Sequence, residues 1–127
     1  YDTLLAAEQP HLSVVLREAS VLVGPLVLPG RTACLRCVDL HRTDRDPAWP
    51  RLAAQLASGA AGRAPGEETL LAVTGAALAA AQVLAHVDGR PAVAHDATLE
   101  VALPAALPTR TTWAPHRLCP CGAHVGR

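Results

Sequence analysis

Cys34-Leu35-Arg36-Cys37 in the first third of the chain and Cys119-Pro120-Cys121 near its end contain all four of its cysteines. Each pair follows a proline-containing turn. Two thiols a few residues apart can grip a metal ion from one side, and a second pair completes a tetrahedron at about 2.3 Å per Zn–S bond. The spacing therefore predicts a structural zinc clasp that draws the tail back onto the early chain, with Cys34, Cys37, Cys119 and Cys121 as ligands. The single-residue spacer of the second pair is tighter than the usual two. His116 and His124 flank that pair as reserve ligands, each also readable as a solvent-facing tail histidine. Two disulfides, a redox dithiol or inert core thiols are the alternatives. Disulfide frameworks suit short secreted chains with little core, whereas 50% of this chain is hydrophobic. A redox dithiol would leave the second pair unexplained.

The 127 residues are enough for one domain of ordinary size. Eleven basic residues, all arginine, balance eleven acidic ones, so net charge favours neither nucleic acid nor an anionic membrane. Phe and Met are absent, so Leu, Val and Ala must build the core, with Trp49 and Trp113 as its large pieces. No basic segment followed by an apolar run marks a signal peptide at the N-terminus, and the expected location is cytoplasmic. The chain opens on Tyr1 inside a predicted helix and reads as a piece of a longer protein.

Working outward from the first cysteine pair, Thr32 is the expected N-cap of a helix through Cys34, Cys37 and Leu40 to about Arg42. Cysteines at i and i+3 share one face of such a helix. Before it, His11–Arg17 and Val21–Leu28 read as strands. The run Val14-Val15-Leu16 suggests cover on both faces, and Gly24-Pro25 suggests an edge or a bulge. A short helix over Tyr1–Glu8 ends at Pro10. After it, Asp46-Pro47 begins a helix carrying Trp49, Leu52, Ala53 and Leu56 and ending at Gly59. Residues 59–66 read as a flexible loop. Glu67–Val87 is the longest predicted helix and has hardly any polar face, which implies burial on several sides rather than a membrane span. Thr98–Leu103 alternates as a half-exposed strand, with Leu99, Val101 and Leu103 inward and Thr98 and Glu100 outward. Thr109–Trp113 is a further β-prone stretch. The fold class expected is α/β, a mixed sheet with packed helices and a four-cysteine clasp.

The segment Gly24-Pro25-Leu26-Val27-Leu28-Pro29-Gly30-Arg31-Thr32-Ala33-Cys34-Leu35-Arg36-Cys37 resembles the approach to the first zinc-binding pair of ThiF/MoeB-like adenylyltransferases of the ubiquitin-activating type. Trp113-Ala114-Pro115-His116 through Cys121 resembles the entry to their second pair, which in that family is normally Cys-x-x-Cys. The likeness runs from about Leu12 to Gly122. It implies a partial Rossmann-like sheet and the C-terminal, zinc-binding half of such an enzyme. The intact protein would adenylate the C-terminal carboxylate of a small protein or peptide using ATP and magnesium, and a homodimer is also implied. The ATP-binding half would precede this segment, and the chain has no G-x-G-x-x-G or P-loop pattern. Val38–Glu68 has no cysteine to take over an activated carboxyl, so covalent transfer is not expected. The other reading of such a segment is a catalytically silent module that presents a peptide to a partner modifying enzyme.

Other polar residues have simpler readings. Asp39, His41, Asp44 and Asp46 suit a solvated turn better than an acid–base cluster. Arg36, Arg42 and Arg45 are of the type that grips carboxylate or phosphate. Glu67-Glu68 complements the positive end of the long helix. His86 reads as a core histidine and His95-Asp96 as a turn. A zinc-ribbon nucleic-acid binder is disfavoured by zero net charge and few stacking aromatics.

Overall fold

The structure is a computed structural model that describes residues 2–58 and 68–123. Eight elements follow in the order α1 (Asp2–Ala6), β1 (His11–Leu16), β2 (Ser20–Val27), α2 (Leu35–Arg45), α3 (Trp49–Ala57), α4 (Thr69–Val87), β3 (Ala97–Ala102) and β4 (Pro108–Thr112). The strands form one sheet in the order β1-β2-β3-β4. All three ladders are antiparallel, and the parallel component is a single bridge between Leu26 and His95. The α/β architecture with helices packed on a sheet is thus the one expected from the sequence.

β2 is an interior strand and is buried along its whole length. Its Gly24-Pro25 marks a bulge, not an edge: Leu12 pairs with Leu26 and Val14 with Val23, so two residues of β2 face the single Ser13. Proline is tolerated there because the β2–β3 ladder runs only from Ser20 to Val23. Gly24 has φ +108°, and a Cβ at that position would collide with the carbonyl oxygen of Ala97. Edge status belongs instead to β1. Val14 and Val15 are 49% and 43% exposed, so their apolar run does not mark a strand covered on both faces.

One face of the sheet packs on α4. Val21, Val23, Leu99 and Val101 enclose Leu71, with Leu12, Leu16 and Leu78 around them. Gly75 allows the close approach, since a Cβ there would stand 2.6 Å from Val21 Cγ2. Buried Gln82 accepts a hydrogen bond from Ala94 N at 2.9 Å, and Ala94 O accepts one from Leu26 N. The segment before β3 is thereby held between helix and sheet.

Burial of α4 on several sides does not hold among the described residues. Its inward residues are Leu71, Gly75 and Gln82, spaced to form one stripe. Leu70, Val73, Leu84 and Val87 face outward, and Val73 is 63% exposed. The composition that suggested all-round burial, being alanine- and leucine-rich, is also long and apolar enough to cross a membrane. Thr98, expected outward, is buried: its hydroxyl accepts from Trp113 Nε1 at 2.9 Å. The flexible loop expected over 59–66 and the helix end at Gly59 lie outside the described residues.

Candidate metal centre

The opposite face of the sheet and the start of α2 frame a second core, in which Val27, Ala33, Val38 and Trp113 surround Cys34, Cys37 and Cys119. Three of the four cysteines are buried and Cys121 is half-buried. Cys34 Sγ lies 3.8 Å from Cys37 Sγ and 3.5 Å from Cys119 Sγ, and Cys37 Sγ lies 3.6 Å from Cys121 Sγ. A regular tetrahedron with 2.3 Å Zn–S bonds spaces its sulfurs about 3.8 Å apart. All four are free thiols, and they could hold a metal. Two pairs 85 residues apart thus meet at one point, as their spacing predicts.

Local structure explains how the first pair is aimed. Cys34, not Thr32, is the N-cap of α2, and Cys37 falls in its first turn. Thr32 instead closes the preceding turn, its hydroxyl accepting from Leu28 N and donating to Leu26 O. Both thiols therefore sit at the positive end of α2, where thiolate is favoured. Hydrogen bonds from Cys34 Sγ and the His116 backbone N–H bring the Cys37 thiol down to about 4. Cys34 is pushed up because its proton is engaged with Cys37 and it is buried. Burial pushes Cys119 up to about 11. One thiolate can exist in this cluster unaided; four would need a cation. A cavity of about 450 Å³, lined by Cys34, Cys119 and Cys121 together with Asp2, Glu8 and Arg36, opens onto the sulfurs.

His116 is neither a solvent-facing tail residue nor aimed at the sulfurs. It is buried, its Nε2 lies 2.9 Å from Asp44 Oδ2, and its Nδ1 accepts from Leu118 N at 3.2 Å. These bonds place the ring proton on Nε2 and fix the turn that delivers Cys119, whose N–H bonds His116 O. His41, Asp44 and His116 form a second close group, with His41 Nε2 2.8 Å from Ala114 O. His124 lies outside the described residues.

Asp39 and Asp46 make specific bonds rather than only facing solvent. Asp39 Oδ1 accepts from Trp49 Nε1 and Asp46 Oδ1 from Ala48 N. Asp96, read as a turn, is a pin between distant elements: its carboxylate accepts from Ala33 N and its carbonyl from Trp113 N. Its φ of +49° was the hidden signal, one that Asp tolerates better than most residues. The three arginines of the α2 region separate. Arg36 lies at the cysteine-lined cavity, Arg45 lies 5.4 Å from the Trp113 ring, and Arg42 lies 4.6 Å over Trp49.

With this geometry, comparison with solved structures becomes informative. A structure of E. coli MccB with ATP superposes at a TM-score of 0.71 and 16% identity, covering 94% of this chain and 33% of that one. The microcin C7 biosynthetic enzyme MccB in complex with N-formylated MccA gives 0.69 at 16% identity, over 94% and 35%. The heterocyclase TruD gives 0.65 at 20% identity, over 95% and 19%. The chain shares its fold with part of MccB. It spans about a third of the length of the MccB chains it matches. No protein-family model matches the sequence, and no curated protein does. At these identities the likeness is one of fold.

Proposed function

We propose that this chain is the zinc-clasped C-terminal half of a ThiF/MoeB-like protein, folding as a single unit over residues 1–127. The intact protein would use ATP and magnesium to adenylate the C-terminal carboxylate of a small protein or peptide. The observation that carries this reading is the convergence of Cys34, Cys37, Cys119 and Cys121 inside a fold shared with MccB. Support also comes from the MccB structures themselves, which contain ATP in one case and MccA in another. Zinc fits the four-sulfur donor set, and four thiolates leave no open position for water, so its role is structural. Thiols kept reduced for a metal suit a cytoplasmic location.

Adenylation would be carried out by residues outside this chain, which has no phosphate-cradling glycine motif. This half contributes sheet, clasp and substrate-facing surface. A homodimer belongs to the same reading, with the outward Leu70, Val73, Leu84 and Val87 of α4 as apolar surface suited to a protein neighbour. Sedimentation of the intact protein tests that contact. Peptide-dependent exchange of pyrophosphate into ATP by the intact protein tests the main reading. Exchange that requires both peptide and an intact clasp is expected. Peptide binding without exchange would replace it with the second reading, a silent module that presents peptide to a partner enzyme.

A further inference from the structure

The face of the sheet opposite α4 carries a cavity, apolar over most of its lining, into which a few polar side chains reach and which the clasp does not use. It encloses about 210 Å³ between β1, β2 and α2, and its lining includes Ser13, Arg17, Thr98, Asp39 and Arg42. Ser13 comes from β1 and Arg17 from the turn just past its end. Asp39 and Arg42 come from one face of α2. Two guanidinium groups from distant elements therefore border one small space.

Among the described residues, neither the Arg17 nor the Arg42 guanidinium donates a hydrogen bond to protein or stands in an ion pair. Arg42 is held by stacking instead, 4.6 Å over Trp49 and 5.7 Å from Trp113. A flat guanidinium stacked on aromatic rings keeps its N–H edge free for a planar anion. Burial disfavours its charge, and Arg17 and Arg45 add to that repulsion. An anion in the cavity would relieve both. Asp39 and Glu100 act on Arg42 in the opposite sense. Within the lining, Arg17 and Arg42 against Asp39 leave one positive charge, which suits a monoanion better than a phosphate dianion. The volume is below the roughly 300–1,000 Å³ of pockets for drug-sized ligands, so the occupant is one small group.

We propose that the cavity between Arg17 and Arg42 binds a single carboxylate. The carboxylate comes from an acidic side chain or from a peptide C-terminus, and its assignment to a substrate peptide rests on the peptide-activating reading above. The site itself does not.

The test uses the full chain labelled with ¹⁵N-arginine, following Nε–Hε signals with Arg36 as internal reference. The probes at constant ionic strength are sodium acetate, inorganic phosphate, acetyl-Gly-Gly, its C-terminal amide, and an amidated peptide with one internal Glu. Acetate should shift the Arg17 and Arg42 signals saturably, leave Arg36 unmoved and bind more tightly than phosphate. Acetyl-Gly-Gly should bind and its amide should not. Binding by the Glu peptide that exceeds acetyl-Gly-Gly assigns the site to an acidic side chain, and the reverse assigns it to a C-terminus. Arg42→Gln should abolish the saturable response at Arg17. Arg17 is exposed just past the end of β1, so Arg17→Gln keeps the fold and should still weaken acetate by about fivefold or more. No saturable shift, an unchanged affinity in Arg17→Gln, or tighter binding of phosphate would each overturn the proposal. Acetate binding without peptide-dependent pyrophosphate exchange would leave this site standing and remove the enzymatic reading alone.

Discussion

The proposed zinc clasp makes a quantitative prediction for metal removal. The sulfurs stand 3.5 to 3.8 Å apart, close to the tetrahedral spacing, so the ion should enter with little rearrangement. A ligand bound only by the folded state at a thousand times its dissociation constant stabilises that state by about 4 kcal/mol. With an unfolding entropy of about 2.1 cal/mol/K per residue, the 127 residues convert this into a Tm shift of roughly 15 °C. A strong chelator should lower Tm by that order, and elemental analysis should find one zinc per chain. Two variants separate loss of the ion from damage to the core. Cys121 is half-buried, so Cys121→Ser should lose the chelator response and melt close to the chelated wild type. Cys34 is fully buried, and Cys34→Ser adds a hydroxyl there at a further cost of about 1–3 kcal/mol. A chelator shift below about 2 °C would refute the reasoning. So would a Cys121→Ser loss of equal size with and without chelator, because the thiol would then be acting through packing.

Three further outcomes test the frame around the clasp. Gly24→Ala should destabilise by more than about 2 kcal/mol in urea unfolding, since φ is +108° and the new methyl meets the Ala97 carbonyl. Gln82→Leu strands the buried Ala94 N–H and should cost about 1–3 kcal/mol; a neutral result would mean that the amide finds another partner. His95 is held below its ordinary value of 6.5 first by burial and then by neighbouring His86. Below that value the unfolded chain binds more protons than the folded one, so the stability from His95 is complete above it and declines as pH falls. Urea midpoints should drop on acidification through this range, and less steeply in His95→Asn.

How much was legible in the sequence depended on whether a signal was local. The cysteine pairs could be read because spacing within each pair fixes a chelating face, and the shared donor chemistry then joins the two. Strand alternation located Leu99 and Val101 correctly. It missed Thr98, whose burial depends on Trp113 arriving from the next hairpin partner. Helix periodicity could not determine how many faces of α4 are covered, because alanine and leucine read alike whether or not a neighbour is present. A sequence shows proline in β2 but not the extra residue opposite Ser13 that accommodates it. Asp96 and His116 looked like loop residues because their bonds reach 63 and 72 positions away. Arg17 gave no signal at all, since its significance lies in facing Arg42 across a cavity.

The clasp and the carboxylate cavity are linked through one helix. α2 carries Cys37 in its first turn and Arg42 five residues later, with Asp39 between them. Arg17 stands outside that helix, just past the end of β1, in the turn where its N–H bonds Ser20 O. Loss of the ion would place four crowded thiols at the start of α2 and leave the helix held by Val38, by the Asp96–Ala33 bond and by the ties of His41 and His116. Chelation should therefore broaden the Arg42 Nε–Hε signal and weaken acetate binding while the Arg17 signal stays sharp. Release of the first turn lets α2 pivot on the His41 and Asp44 ties that flank Arg42, and the pivot reorients the Arg42 guanidinium although the freed Cys37 end moves further. An acetate affinity that survives chelation unchanged would mean that apolar packing alone fixes α2. The metal would then stabilise the fold without positioning the arginine.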